Sequence, residues 1–113
     1  MRGARAEWTA QSHLESLGYR AIQRNFRVAQ GEIDLIMWDR ETLVFVEVRS
    51  VDTLEHGHPL ESITRPKQRR IIAAARRFIQ DLPMPWPPMR FDAVGIVLRP
   101  NVEISHVQEA FEA

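Results

Sequence analysis

Residues 33–38, IDLIMW, and residues 43–48, LVFVEV, are two runs rich in β-branched, aromatic and long apolar side chains, parted by the polar tetrapeptide DRET at 39–42. Such runs around a short polar break predict a β-hairpin. Side chains alternate along a strand, so Glu47 and Arg49 project from one face while Val46 and Val48 project from the other. If the turn is a two- or four-residue loop centred between Arg40 and Glu41, paired positions sum to 81 and Asp34 stands directly opposite Glu47. A three- or five-residue loop would move the sum by one and send the two carboxylates to opposite faces.

Outward from the hairpin, residues 5–17 carry Ala6, Ala10, Leu14 and Leu17 at helical spacing, and Gly18 follows where a left-handed cap would sit. Glu7 falls on or beside the inward stripe of that helix, an odd place for a carboxylate. Residues 19–28 read as a strand bearing Arg20, Arg24 and Arg27. Residues 51–63 contain Gly57 and Pro59, keep no period, and read as a long loop. Thr64 can cap a second helix with Pro66 in its first turn and Ile71, Ala75, Phe78, Ile79 and Leu82 facing inward; Pro83 and Pro85 end it. Residues 91–98, apolar on both parities apart from Asp92, suit a central strand covered on both faces. Residues 102–107 suit a shorter edge strand, with Ala110 and Phe111 docking the tail. The 113 residues suffice for a single domain over 1–113. The elements read here are two helices and about five strands, an α/β (α+β) class.

Composition removes several chemistries. With no cysteine there is no disulfide, thiolate zinc site or cysteine nucleophile, and the strong metal ligands are carboxylates and four histidines. Five scattered glycines form no phosphate loop, and no serine–histidine triad is visible. No apolar run approaches the roughly 20 residues of a membrane span, and the N-terminus has no signal-peptide core, so a cytoplasmic protein without membrane contact is expected.

Net charge is zero, but it is segregated: residues 31–61 hold eight acids and two bases, whereas residues 65–77 hold six bases and no acid. That asymmetry suits a partner with phosphates, or simply the wet face of a helix. Lys67, Arg70 and Arg77 fall on one stripe and are the expected phosphate contacts. His56 and His58 lack further close ligands and read as loop residues, and Trp8, Trp38 and Trp86, which could stack bases, read as packing.

Facing carboxylates with Cβ atoms about 5 Å apart repel unless a cation or a shared proton intervenes. Carboxylates without thiolates favour Mg²⁺ or Mn²⁺, and water on such a metal can attack a phosphodiester. The alternative is that Asp34 and Glu47 are outward residues of a one-sided sheet, with Arg49 as an ion-pair partner.

GEIDLI at 31–36, FVEV at 45–48 and RFDAV at 90–94, joined by AE at 6–7, RNFR at 24–27, KQRRI at 67–71 and EAF at 109–111, resemble the YraN-like family. That is a group of small bacterial proteins with the restriction-endonuclease-like PD-(D/E)XK fold, related to Holliday-junction resolvases, and the resemblance implies a central mixed sheet of about five strands with a helix on either side. The resemblance implies that Asp34 is the motif aspartate, Glu47 the motif acid, Glu7 a further acid from the first helix, and Gln68 the helix glutamine that approaches such sites. Where the pattern has lysine two residues after the acid, this chain has Arg49, followed by Ser50 and Val51. Lysine can orient or deprotonate water; arginine keeps its proton and can only orient or neutralise.

The expected function is therefore a Mg²⁺- or Mn²⁺-dependent endonuclease acting on DNA, branched or recombination and repair DNA included, with Glu7, Asp34, Glu47, Arg49 and Gln68 at the site. Two rivals remain: a nucleic-acid-binding or assembly module that kept the fold without cleavage, and an interaction domain using the apolar tail or the 83–88 loop. A homodimer is among the expected partners.

Overall fold

The structure is a computed structural model that describes residues 3–113, with side chains from residue 5 onward. Helix α1 (Gly3–Ser16) leads into strands β1 (Arg20–Val28), β2 (Gly31–Asp39) and β3 (Thr42–Val51). Helix α2 (Arg65–Gln80), strand β4 (Met89–Val97) and strand β5 (Glu103–Phe111) follow. The five strands lie in the sheet in sequence order. β3 and β4 are parallel and every other neighbouring pair is antiparallel. A parallel pair needs a crossover connection, and α2 with the segment before it supplies one.

One helix covers each face. Ala6, Ala10 and Leu14 of α1 pack with Leu35, Met37, Val44, Val46, Val94 and Ile96. Ile71, Ala74, Ala75 and Ile79 of α2 pack with Ile36, Leu43, Phe45 and Phe91 on the other side. The central strands are thus apolar on both parities because both faces are covered. Gly18 takes φ 97 after α1, and Thr64 caps α2 by accepting the Lys67 amide, as the sequence predicts. Among the described residues no helix is long and apolar enough to cross a membrane.

Two segments differ from expectation. The 51–63 connection holds two short 3₁₀ turns, Leu54–His56 and Pro59–Ser62, with Pro59 buried and the His58 ring nitrogen accepting the Leu60 amide at 3.2 Å. His58 is therefore a turn cap. β5 runs on to Phe111 where only 102–107 reads as a strand. Its register against β4 shifts between Phe91 and Ala93, and Glu109 adopts φ 49. That bulge interrupts the alternation on which a sequence reading depends.

The bulge is anchored by Asp92, whose side chain is completely buried. Its carboxylate accepts Arg90 Nε at 2.9 Å, the Glu109 amide at 3.2 Å and the Tyr19 hydroxyl at 3.4 Å, and lies 2.8 Å from His106 Nε2. Arg90 also pairs with Asp39 at 2.9 Å and donates to the Tyr19 hydroxyl. Burial pushes the Asp92 carboxyl up, but hydrogen bonds from His106 and Arg90 and the Arg90 charge outweigh it and hold the group below the usual carboxylate range.

Asp92→Asn should lower stability by roughly 1–3 kcal/mol at pH 7 in urea unfolding, because it leaves the Arg90 guanidinium to Asp39 and takes a charged acceptor from buried donors. The contribution is present above the unfolded carboxyl value and is lost as pH falls through the depressed native one. The gap between wild type and variant should therefore narrow below about pH 4. A gap independent of pH would mean that packing, not charge, accounts for the loss.

Candidate metal and nucleic-acid site

The β2–β3 ladder runs from Asp39↔Thr42 to Leu35↔Val46, every pair summing to 81, so the hairpin has a two-residue turn at Arg40 and Glu41. Asp34 and Glu47 occupy the next position. There the backbone ladder stops, and the Asp34 carboxylate accepts the Val48 amide at 2.7 Å in its place.

The cause lies partly in β1. Asn25 adopts φ 55, and the side chains on either side of it lie on opposite faces: the Arg24 guanidinium covers Trp8 of α1, whereas Phe26 packs on Phe78 of α2. β2 makes the same switch, since Ile33 packs on the α2 side and Leu35 on the α1 side. Asp34 sits in the crease between them and meets both Glu7 from α1 and Glu47 from β3. Asparagine tolerates a left-handed backbone better than most residues, and Asn25 inside a strand-like run was the one local signal of this crease.

Burial shapes the titration of the acids. Glu47 is pushed up to about 9, first by desolvation and then by the adjacent Asp34, with Arg49 and Lys67 acting in the opposite direction. Glu7 is also raised, by burial first and by Asp34 second, and its Oε1 has no hydrogen-bond partner. Arg49 places NH1 3.9 Å from Glu47 Oε2, while its Nε donates to Ser62 Oγ at 2.9 Å and Ser62 in turn donates to the Pro59 carbonyl at 2.6 Å. The second 3₁₀ turn thereby fixes the guanidinium beside the acid.

These groups line a cavity of about 700 Å³ that also receives Arg27, Lys67 and Arg70. Gly31 lets α2 approach: a Cβ there would stand 2.4 Å from the Arg70 carbonyl oxygen, so any larger residue would push away the turn that carries Lys67 and Arg70. Arg77 lies beyond the cavity and pairs with Asp81 at 3.0 Å. Gln68 is not brought to the carboxylates. It donates to the Ile63 carbonyl at 3.1 Å and lines a separate small cavity with Leu60, Ala93 and Phe111, because its side of α2 faces the 3₁₀ turns and β4. Ser62 carried no sequence signal that marked it for the site, and Arg27 stood in the RNFR motif without a role attached to it.

Among the described residues no three His, Asp or Glu side chains gather as a metal-holding group. The donor set on offer is Asp34 with Glu47, and the unpaired Glu7 oxygen lies beside them. That fits a cation such as Mg²⁺, which takes one or two carboxylates and keeps several waters, better than one that requires a full protein cage.

Residues 6–96 match the family model described as "Uncharacterised protein family UPF0102". The chain is 40% identical over 116 residues to UPF0102 protein CT2262 of Chlorobaculum tepidum, which covers 96% of this chain and 90% of that one. It is 42% identical over 113 residues to a UPF0102 protein of Chromohalobacter salexigens, covering 99% and 91%. The chain belongs to this family, and the matched span contains Glu7, Asp34, Glu47 and Arg49.

Unfolded, Glu47 loses its proton near an ordinary glutamate value of about 4.3; folded, it holds the proton to about 9. Between those values the native state binds the extra proton, so this group lowers stability progressively as pH rises. Glu47→Gln has no proton to lose. In chelator it should be more stable than wild type by roughly 1–3 kcal/mol at pH 8, with the difference vanishing towards pH 4. Parallel pH–stability curves for the two proteins would contradict a buried proton at this position.

Proposed function

We propose that this chain is a Mg²⁺- or Mn²⁺-dependent endonuclease of the YraN-like, PD-(D/E)XK kind, acting on DNA phosphodiesters. The observation that carries the reading is the placement of Asp34 against Glu47, with Glu7 beside them, in a cavity whose other charged walls include Arg49, Lys67 and Arg70, with Arg27 paired to Glu32 at its edge. Acids that repel one another need a cation; bases around them suit a polyanion that bridges to it.

A bound divalent cation would supply charge for the phosphate and a more acidic water. Asp34 and Glu47 would hold it. Asp34 is oriented by the Val48 amide, so one of its oxygens is committed and the other is left for the cation. The attacking water forms the new P–O bond as the P–O bond to the departing sugar breaks. Glu7, with an unpaired oxygen and a raised proton affinity, is the group of this site suited to take the water's proton. Arg49 cannot act as a base, but it can neutralise charge on a phosphate oxygen. Lys67 and Arg70 would seat the flanking backbone phosphates without reading sequence.

A second reading has its own support. Arg49 is already engaged by Glu47 and Ser62, which is what a structural ion pair in a non-cleaving DNA-binding module would look like.

Mn²⁺ titrated calorimetrically should bind wild type and fail to bind Asp34→Ala and Glu47→Ala. Because the cation must displace the Glu47 proton, close to one proton should be released per cation near pH 7, and affinity should rise with pH up to about 9. Wild type should nick single-stranded or branched DNA in Mn²⁺, and Asp34→Ala should not. Equal cation binding by all three proteins would dismiss the site.

Arg49→Lys separates the two readings. In an endonuclease it should raise metal-dependent cleavage roughly tenfold to thousandfold, with the gain growing at higher pH as the lysine titrates. If wild type and Arg49→Lys both leave every DNA form uncut in Mg²⁺ and Mn²⁺, the binding-module reading stands.

A further inference from the structure

Trp8 is the neighbour of Glu7 on α1, yet it does not pack as its size suggests. It is 50% exposed and belongs to neither half of the core. The Arg24 guanidinium lies 3.6 Å from the centre of its ring. Beside it opens a cavity of about 500 Å³ lined by Arg5, Trp8, Thr9, Ser12, His13 and Ile104. Arg24 is not among the residues lining that cavity, so it holds the indole from one side and leaves the cavity the rest. Among the described residues no acid lines the space, and Arg5 lies at it.

A half-exposed indole pinned by a cation, with basic and hydroxyl groups around the open side, suits a planar ring attached to an anion. An apolar peptide would gain nothing from Arg5 and His13. A paired base inside a duplex has both faces stacked and cannot reach an indole; an unpaired base can. Successive residues of a helix project about 100° apart, so the indole stands on the flank of α1 next to the inward Glu7 rather than inside its cavity, with Arg24 beside both.

We infer that Trp8 is a stacking position for an unpaired nucleobase next to the carboxylate cavity, so that the preferred substrate carries a single-stranded segment there. The word substrate rests on the endonuclease reading; the stacking does not. Arg24 orients the indole and supplies a positive charge between the stack and the acids, and Arg5 meets the adjoining phosphate.

The test measures binding in EDTA, where no cleavage occurs, by fluorescence anisotropy with a labelled oligothymidylate and with a blunt duplex of the same length. Trp8→Ala should weaken single-strand binding roughly fivefold to hundredfold, the worth of one stacked base, and leave duplex binding unchanged. Trp8→Phe should retain most of the affinity. Trp8→Leu keeps an apolar side chain without a π face and should behave as alanine does, which guards against a helix perturbed by truncation. Equal losses on single strand and duplex, no loss on either, or a wild type that binds neither would each overturn the stacking position. A parallel cleavage assay in Mn²⁺ with Asp34→Ala as control keeps the two ideas apart. Trp8-dependent binding without any cleavage defeats the endonuclease reading alone, whereas cleavage with binding indifferent to Trp8 defeats this inference alone.

Discussion

Glu7, Asp34 and Glu47 come from three different elements and meet where Glu7 and Glu47 have little contact with water, an arrangement that opposes folding. Like charges in a desolvated crease either take up protons or require a cation. The cost is confined to one end of the β2–β3 pair, where the ladder has stopped and Asp34 replaces a backbone acceptor. Everything that closes this end contributes to holding the acids together: the Asn25 switch in β1, the close seating of α2 on Gly31, and the 3₁₀ turn that anchors Arg49.

Stability on the α1 side draws on a different kind of charge burial. Asp92 is fully enclosed, yet it has several partners, and Arg90 compensates its charge. The two carboxyl environments shift in opposite directions for one reason: the same desolvation acts on both, but Asp92 faces donors and a cation, whereas Glu47 faces another acid. A buried acid with its partners supplied by the fold holds the structure together. One whose closest neighbour is another acid is poised to accept something from outside.

Much of the architecture was legible because it follows from alternation and punctuation. The hairpin register depended only on Arg40 and Glu41 forming an even-numbered turn, and Thr64 and Pro66 marked the start of α2 without ambiguity. Legibility failed where a residue leaves the regular period. Glu109 at positive φ carries β5 past the point where its alternating pattern ends, and no propensity distinguishes it from an ordinary glutamate. Gln68 fits the helical stripe that faces inward, but an inward stripe spans more than one direction, and a neighbouring carbonyl at Ile63 determined which one its amide took. Asp92 stood out as an exception in an apolar strand, with Arg90 two residues before it in the RFDAV motif, but its partners Tyr19 and His106 come from other elements and converge on it only in three dimensions.

The charged walls of the cavity illustrate why a net charge of zero says so little here. The bases of α2 and the acids of the hairpin are segments apart in sequence, and folding brings Lys67 and Arg70 across from Asp34 and Glu47 without pairing them one to one. Arg27 and Arg77 already have acidic partners, at 3.0 Å to Glu32 and Asp81, so they can lend the site little free charge. Arg49 is intermediate, 3.9 Å from an acid that burial tends to keep protonated, and therefore only weakly neutralised by it. Loss of the Glu47 proton strengthens that pairing, while the proposed cation on Glu47 would weaken it again by competing for the same oxygens. The guanidinium's freedom is thus tied to the state of the carboxylates beside it, and the charge of one acid governs both halves of the cavity wall.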